Sequence, residues 1–251
     1  LDWVSVAFPV APGMLDAALR GARALGLRGL SVTMPFKERA CEAVDRMSAT
    51  AEQLGALNCV VVEPDGLVGH NTDGEGFVAG LRRGAGFDPA GRRCLVIGAG
   101  GAARAVVLAL ARGGASEVVV VGRTPARTTD VAALAGGVGR TGTPLDAREA
   151  DLVVNATPAG MAGSAAAEAL PPVDAGLLGR GQLAVDLVYA PRPTRWLQLV
   201  ARQGAATLDG LGMLVHQAAL QVELWSGLLA PVEAMWTAAE RQAFEGPGSG
   251  R

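Results

Sequence analysis

The run CLVIGAGGAARAVVLALARGG, residues 94–114, decides how this chain is to be read. It begins as a strand of buried-type residues, breaks at a cluster of glycines, and resumes as an apolar helix. Gly98, Gly100 and Ala103 fit the pattern G-x-G-x-x-G/A. The first glycine permits the tight turn, the second lets backbone approach a pyrophosphate, and the small third residue lets helix and strand pack closely. A helix starting near Gly101 aims its unpaired N–H groups and positive dipole end at that phosphate. Glycines also make ordinary strand–helix turns. Here a strand precedes and a helix follows, so dinucleotide binding is the favoured reading.

The next strand, EVVVV (117–121), ends where such folds read the adenosine ribose. An acid there would accept from the ribose hydroxyls of NAD. This chain instead has Gly122, Arg123, Thr124 and Arg127. Two guanidinium groups and a hydroxyl suit a 2′-phosphate, which predicts NADP. Two merely solvated arginines are the duller explanation, and cations at a helix start oppose its dipole.

Outward from this core, β-branched segments alternate with Ala/Leu-rich ones, the signature of a parallel α/β architecture. Strands are expected at residues 3–8, 29–33, 59–63, 93–97, 117–121, 152–155 and 183–187. Helices are expected at 13–25, 35–47, 74–83, 101–112, 125–135, 194–203 and as a pair from about 212 to 241. A Gly/Pro-rich break at 82–93 reads as a domain boundary. The expectation is two domains: a discontinuous α/β substrate domain from residues 1–84 and 209–244, and a Rossmann-type NADP-binding domain from 85–208. Residues 245–251 read as a flexible tail. Leu1 is not an initiator Met and LDWVSVAF reads as an interior strand, so the amino terminus is expected to be truncated.

Composition excludes several classes. Of 251 residues, half are hydrophobic and 18% charged, which suits a packed globular protein. A net charge of −2 gives no footprint for nucleic acid or an anionic membrane. Cys41, Cys59 and Cys94 lack CxxC spacing, as reduced cytoplasmic thiols would. With only His70 and His216, no metal site is expected. No apolar run reaches the roughly 20 residues that span a bilayer, and no signal peptide is visible. The expected location is the cytoplasm.

A second group of polar residues stands at element ends. SVTMPFKERA (31–40) puts Thr33 and Lys37 where a strand hands over to an apparent helix, although a surface lysine could sit there too. Asn58 opens a strand, a position where turn-forming Asn is ordinary. Asp73 stands at a helix start, where it would serve as an N-cap. Met213 and Gln217 lie four apart on one helix face, Met213 being by itself ordinary core packing. Together with the dinucleotide fold they describe a site for a small polyhydroxylated molecule, with Lys37 and Asp73 as its titratable pair.

On these segments the chain resembles the shikimate dehydrogenase family, the NADP-dependent enzymes of aromatic amino-acid biosynthesis. The matching stretches are SVTMPFK (31–37), GALN (55–58), NTDG (71–74), GAGGAAR (98–104), GRTPAR (122–127), NATPAGM (155–161), DLVYAP (186–191) and DGLGMLVHQA (209–218). The resemblance implies that Lys37 is the catalytic acid/base with Asp73 beside it. It implies that Thr33, Asn58, Asp73 and Gln217 hold the substrate and that Tyr189 closes the site. Gly98, Ala99, Gly100, Gly101 and Ala102 would carry the pyrophosphate, and Arg123, Thr124 and Arg127 the 2′-phosphate. Asn155, Ala156, Thr157, Leu187, Gly210 and Met213 would line the rest of the cofactor. The implied reaction is NADPH-dependent reduction of 3-dehydroshikimate to shikimate, by a monomer or homodimer.

Two departures stand out. The family's Ser-x-Ser pair for the substrate carboxylate has no counterpart ahead of Trp3, and Gly122 replaces the Asn common before Arg-Thr. A broader quinate/shikimate enzyme would often carry an acid at Arg123. A non-catalytic NADP-binding regulator would be expected to lack Lys37 or Asp73.

Overall fold

The structure is a computed structural model that describes residues 1–245. By packing, the described residues divide into two compact units, 1–71 and 72–245.

In the first unit the elements run α1 (Leu15–Ala24), β1 (Gly29–Ser31), β2 (Arg46–Met47), α2 (Ala49–Leu54), β3 (Cys59–Glu63) and β4 (Gly66–His70). The sheet order is β1-β3-β4-β2. β3 and β4 form an antiparallel hairpin with Glu63 opposite Gly66, while β2 runs parallel to β4. Leu15 and Leu19 of α1 pack with Val32, Ala40, Ala51, Leu57, Val60 and Leu67 in one core. Fully burying a leucine or valine of this set stabilises by roughly 1.5–3 kcal/mol.

Two expectations fail here. Residues 35–47 form no α-helix; after a turn they make one 3₁₀ turn, Arg39–Glu42, and then β2. Long-range pairing overrides local propensity. Asp45 accepts from the Leu67 N–H, Arg46 pairs with Val68, and the Arg46 guanidinium grips Glu63 and Asp65 of the hairpin. Residues 3–8 form no strand either, and Val4 is 91% exposed. A strand exists by its ladder, and among the described residues none pairs with this segment.

The second unit contains α3 (Asp73–Ala85), β5 (Arg93–Ile97), α4 (Gly101–Arg112), β6 (Glu117–Val121), α5 (Pro125–Ala133), β7 (Gly139–Thr141), β8 (Leu152–Asn155), β9 (Leu183–Asp186), α6 (Arg195–Arg202), β10 (Ala206–Leu208), α7 (Leu211–Ser226) and α8 (Val232–Glu245). Among the described residues its six strands are all parallel, in the order β10-β9-β8-β5-β6-β7. This is the doubly wound order, with the topological switch between β5 and β8. Alternate residues of each strand serve opposite faces. Cys94 and Val96 join the core under α3, α4 and α5, whereas Leu95 and Ile97 join the core under α6. Cover on both faces is why these strands read as unbroken apolar runs.

α3 runs through the expected boundary to Ala85 and ends at Gly86 in the left-handed conformation. Its glycines explain its place in this unit. A Cβ on Gly76 would lie 2.6 Å from the Gln217 nitrogen, and one on Gly80 2.8 Å from the Met213 nitrogen. One on Gly74 would lie 2.9 Å from the Ala105 carbonyl oxygen. α3 thus packs backbone-to-backbone on α7 and on α4, which sequence periodicity does not show. The expected tail falls mostly on residues 246–251, outside the described residues.

Candidate functional site

In the first unit, Thr33, Lys37 and Asn58 are brought together by backbone bonds. The Lys37 carbonyl accepts from the Leu57 N–H (2.8 Å), and the Asn58 carbonyl accepts from Val32 N–H (2.8 Å). The Phe36 N–H closes a turn onto the Thr33 carbonyl (3.0 Å), through a cis Met34–Pro35 bond. Lys37 therefore sits in a tied turn rather than on a helix. Asn58 is buried, its N–H donating to the His70 carbonyl (3.0 Å). Asn71 donates to the Ala56 carbonyl (2.9 Å), fixing the loop that precedes Asn58.

In the second unit Asp73 is buried, at 2% exposure, and is the first helical residue of α3. The N-cap position belongs to Thr72, so the duller reading of Asp73 as the cap does not apply. Thr72 Oγ1 donates to the Gln217 carbonyl (3.0 Å), so the start of α3 and the middle of α7 are locked together. The Gln217 amide donates to the Leu214 carbonyl and accepts from Gln221.

The glycine turn follows β5. Gly98 has φ +122°, a conformation that L side chains rarely adopt, and a Cβ there would meet the Ala156 carbonyl at 3.0 Å. Gly100 caps α4 without a side-chain hydrogen bond, and nothing lies within 4 Å of where its Cβ would stand. An open glycine cradle at an uncapped helix start, at the switch point, fits a dinucleotide phosphate. Beyond β6, Arg123, Thr124 and Arg127 are all exposed at the start of α5. A Cβ on Gly122 would sit 2.6 Å from Thr128 Oγ1, so a larger residue there would require that hydroxyl to leave its bond to the Thr124 carbonyl.

Across the switch, Asn155 pairs in register with Ile97 on one side and Asp186 on the other. Its side chain is fully buried and engaged inward, donating to Asp186 (2.9 Å) and accepting from Thr157 N–H and Oγ1. Only Ala156 and Thr157 of this turn are partly exposed. Leu187 N–H donates to the Asn155 carbonyl (3.0 Å), and the Leu187 carbonyl lies so close to Gly210 that no Cβ fits there. Leu187, Gly210 and Met213 line one small cavity with Phe77 and Leu81. Tyr189 is 46% exposed on the loop after β9. Arg192 on that loop forms an ion pair with Asp209 (2.6 Å), whose other oxygen accepts from Leu211 N–H at the start of α7.

Burial pushes the Asp186 carboxyl above its usual pKa, opposed by bonds from Thr194, Val188 N–H and Asn155. No local sequence pattern marks a role for Asp186, Thr194, Thr72 or Arg192. The DLVYAP motif contains Asp186, but its partners lie 8 and 31 residues away. Among the described residues no cluster of His, Cys, Asp or Glu could hold a metal ion, and no helix is long and apolar enough to cross a membrane.

A doubly wound parallel sheet with a glycine cradle at its switch point defines a Rossmann-type dinucleotide-binding protein. The shikimate dehydrogenase substrate-binding domain matches residues 1–60, the shikimate/quinate 5-dehydrogenase domain residues 84–169, and the shikimate 5′-dehydrogenase C-terminal domain residues 210–240. Over 99% of this chain and 87% of the relative, it is 42% identical to the shikimate dehydrogenase (NADP⁺) of Moorella thermoacetica. A shikimate dehydrogenase solved in complex with NADP⁺ superimposes with a TM-score of 0.88 at 32% identity, covering 96% of this chain and 85% of that one. The shikimate 5-dehydrogenase of Thermus thermophilus, solved with NADP(H) and shikimate, gives 0.83 at 39% identity, covering 92% and 85%. The chain belongs to the shikimate dehydrogenase family.

Proposed function

We propose that this chain catalyses the reversible, NADPH-dependent reduction of 3-dehydroshikimate to shikimate, a step toward the aromatic amino acids. The observation that carries this reading is one combination in a chain of this family: a basic end to the second dinucleotide strand, with Lys37 and Asp73 both present.

The glycine turn and the N–H groups of α4 hold the pyrophosphate, and Arg123, Thr124 and Arg127 the 2′-phosphate. Ala156, Thr157, Leu187, Gly210 and Met213 line the remaining length, with Asn155 behind them. Bound NADPH supplies the hydride to the C3 ketone. As negative charge develops on that oxygen, the Lys37 ammonium stabilises it and donates the proton, a contribution of roughly 10²–10⁴-fold. Asp73 orients the ammonium and accepts from the neighbouring hydroxyl. Thr33, Asn58 and Gln217 hold the remaining hydroxyls, and Tyr189 covers the ring. In this assignment residues 1–84 and 209–244 serve the substrate and 85–208 the cofactor. A reaction drawing on the NADPH pool suits a cytoplasmic enzyme, acting as monomer or homodimer.

The test is a spectrophotometric comparison of four pairs: NADP or NAD with shikimate or quinate. NADP with shikimate should give the highest kcat/KM. A preference for NAD and quinate would replace this reading with the broader quinate enzyme. NADPH binding without turnover of either acid would point to a regulator.

A further inference from the structure

Resting on that assignment of the cofactor wall, we propose that Asp186 is a positioning residue: from behind the wall it sets the Asn155–Thr157 turn and the Leu187–Tyr189 segment against the dinucleotide. Asp186 and Asn155 are register partners at the carboxyl ends of adjacent strands, the end where open α/β sheets bind ligands. Both are 0% exposed.

The hydrogen-bond pattern has one solution. Thr157 N–H can only donate, so the Asn155 oxygen must face it (3.1 Å). That turns the Asn155 NH₂ toward residue 186, where it needs an acceptor, and Asp186 Oδ1 provides one (2.9 Å). The same oxygen accepts Val188 N–H (3.1 Å), which fixes the chain on both sides of that residue: Leu187, whose carbonyl abuts Gly210, and Tyr189. The other oxygen takes the Thr194 hydroxyl (2.7 Å), and Thr194 in turn caps α6 through the Leu197 N–H. Asp186 thus joins two ligand-facing segments to a helix that faces away from the glycine turn's core. Its partners here are neutral donors, and burial works against its charged form. A buried carboxylate of this kind is a poor stability device compared with an apolar residue of like size. What it supplies is geometry.

Four variants separate positioning from mere stability, read as NADPH dissociation constants by calorimetry on folded protein, alongside thermal melts. Asp186→Ala should weaken NADPH by about tenfold or more, the scale of losing bonds to a charged group. Asp186→Asn keeps an acceptor toward Asn155 and Val188 and should restore affinity to within about threefold, since less than one such bond is lost. Thr194→Val cuts the network on the α6 side only; it should lower the melting temperature and leave NADPH affinity unchanged. Asn155→Ala severs the same link from the neighbouring strand and should match Asp186→Ala. If Asp186→Ala fails to fold, Asn155→Ala against Thr194→Val decides. Unchanged affinity in the Ala variants, or equal weakening in Thr194→Val, overturns the proposal. Because the readout is NADPH binding, a wild-type protein that binds NADPH but leaves shikimate untouched defeats the substrate reading and not this one.

Discussion

Gly76 of α3 lies against the backbone of Gln217 on α7, so closely that a Cβ on Gly76 would come within 2.6 Å of the Gln217 nitrogen and 2.7 Å of its Cβ. One turn earlier, the Thr72 hydroxyl donates to the Gln217 carbonyl. A glycine and a threonine thereby set the height of Gln217, and with it the helix start that carries Asp73. The four-residue spacing of Gly76 and Gly80 along α3 is what lets the two helices approach to backbone contact, while Gly84 faces the Leu208 side chain of β10.

The substitution Gly76→Ala separates packing from propensity. Alanine in a helix interior gains about 1 kcal/mol over glycine, whereas overpacking of this kind costs roughly 1–3 kcal/mol. The collision is with backbone and has no flexible side chain to yield, so the cost should win. Chemical denaturation should show a net loss, and KM for shikimate should rise as Gln217 shifts. Gly21→Ala on α1 is the control: nothing lies within 4 Å of its Cβ position, and the protein should gain stability. A stabilised Gly76→Ala enzyme would mean that α3 and α7 are not locked in this way.

In the proposed assignment, cofactor choice rests on Arg123 and Arg127. Replacing Arg123 with Asp removes charge-assisted bonds worth on the order of 1.5–3 kcal/mol each and adds repulsion toward a 2′-phosphate. KM for NADP should rise at least about tenfold while KM for NAD stays level or falls. If the ratio of the two KM values does not move, the arginines do not read the phosphate.

Acid stability should depend on Glu117. Its carboxylate accepts from Arg140 (2.7 Å) and Arg93 (3.1 Å), and the Arg140 hydrogen bond is the main reason its pKa is held below the usual glutamate value. A lowered folded-state pKa means that the stabilisation is present above the ordinary value, about 4.3, and is lost as pH falls through the lower folded value. Melting temperatures of wild type should therefore drop more steeply on acidification below about pH 5 than those of Glu117→Gln. Asp186, whose pKa is raised, contributes with the opposite sign but cancels in the comparison. Parallel melting curves for the two proteins across that range would remove Glu117 from the acid response.

The central elements of the parallel sheet were legible in the sequence, as was β3 of the first unit. β5, α4, β6 and β8 fall on the expected residues because buried parallel strands are continuous apolar runs and the glycine turn punctuates them. The short strands β2, β7 and β10 are two or three residues long and exist through their ladders, so no local pattern announces them. β4 did carry a signal, the Asp65–Gly66 pair of a hairpin, hidden by two glycines in a five-residue strand. The apparent helix at 35–47 failed because Asp45 and Arg46 gain more from the hairpin than from helical bonds. The sequence motifs name candidate site residues but not how those residues are coupled. Thr72 meets Gln217 across 145 positions, and Asn155 meets Asp186 across 31. No spacing rule connects such pairs; the folded backbone does.

Single-turnover oxidation of NADPH with 3-dehydroshikimate reads the proposed chemical role of Lys37. Lys37→Ala should slow that step by about 10²–10⁴-fold, while calorimetry shows wild-type NADPH affinity, because the proton donor is lost and the phosphate sites are intact. A Lys37→Ala protein that turns over within a few-fold of wild type would make Lys37 an ordinary loop lysine and contradict the mechanism.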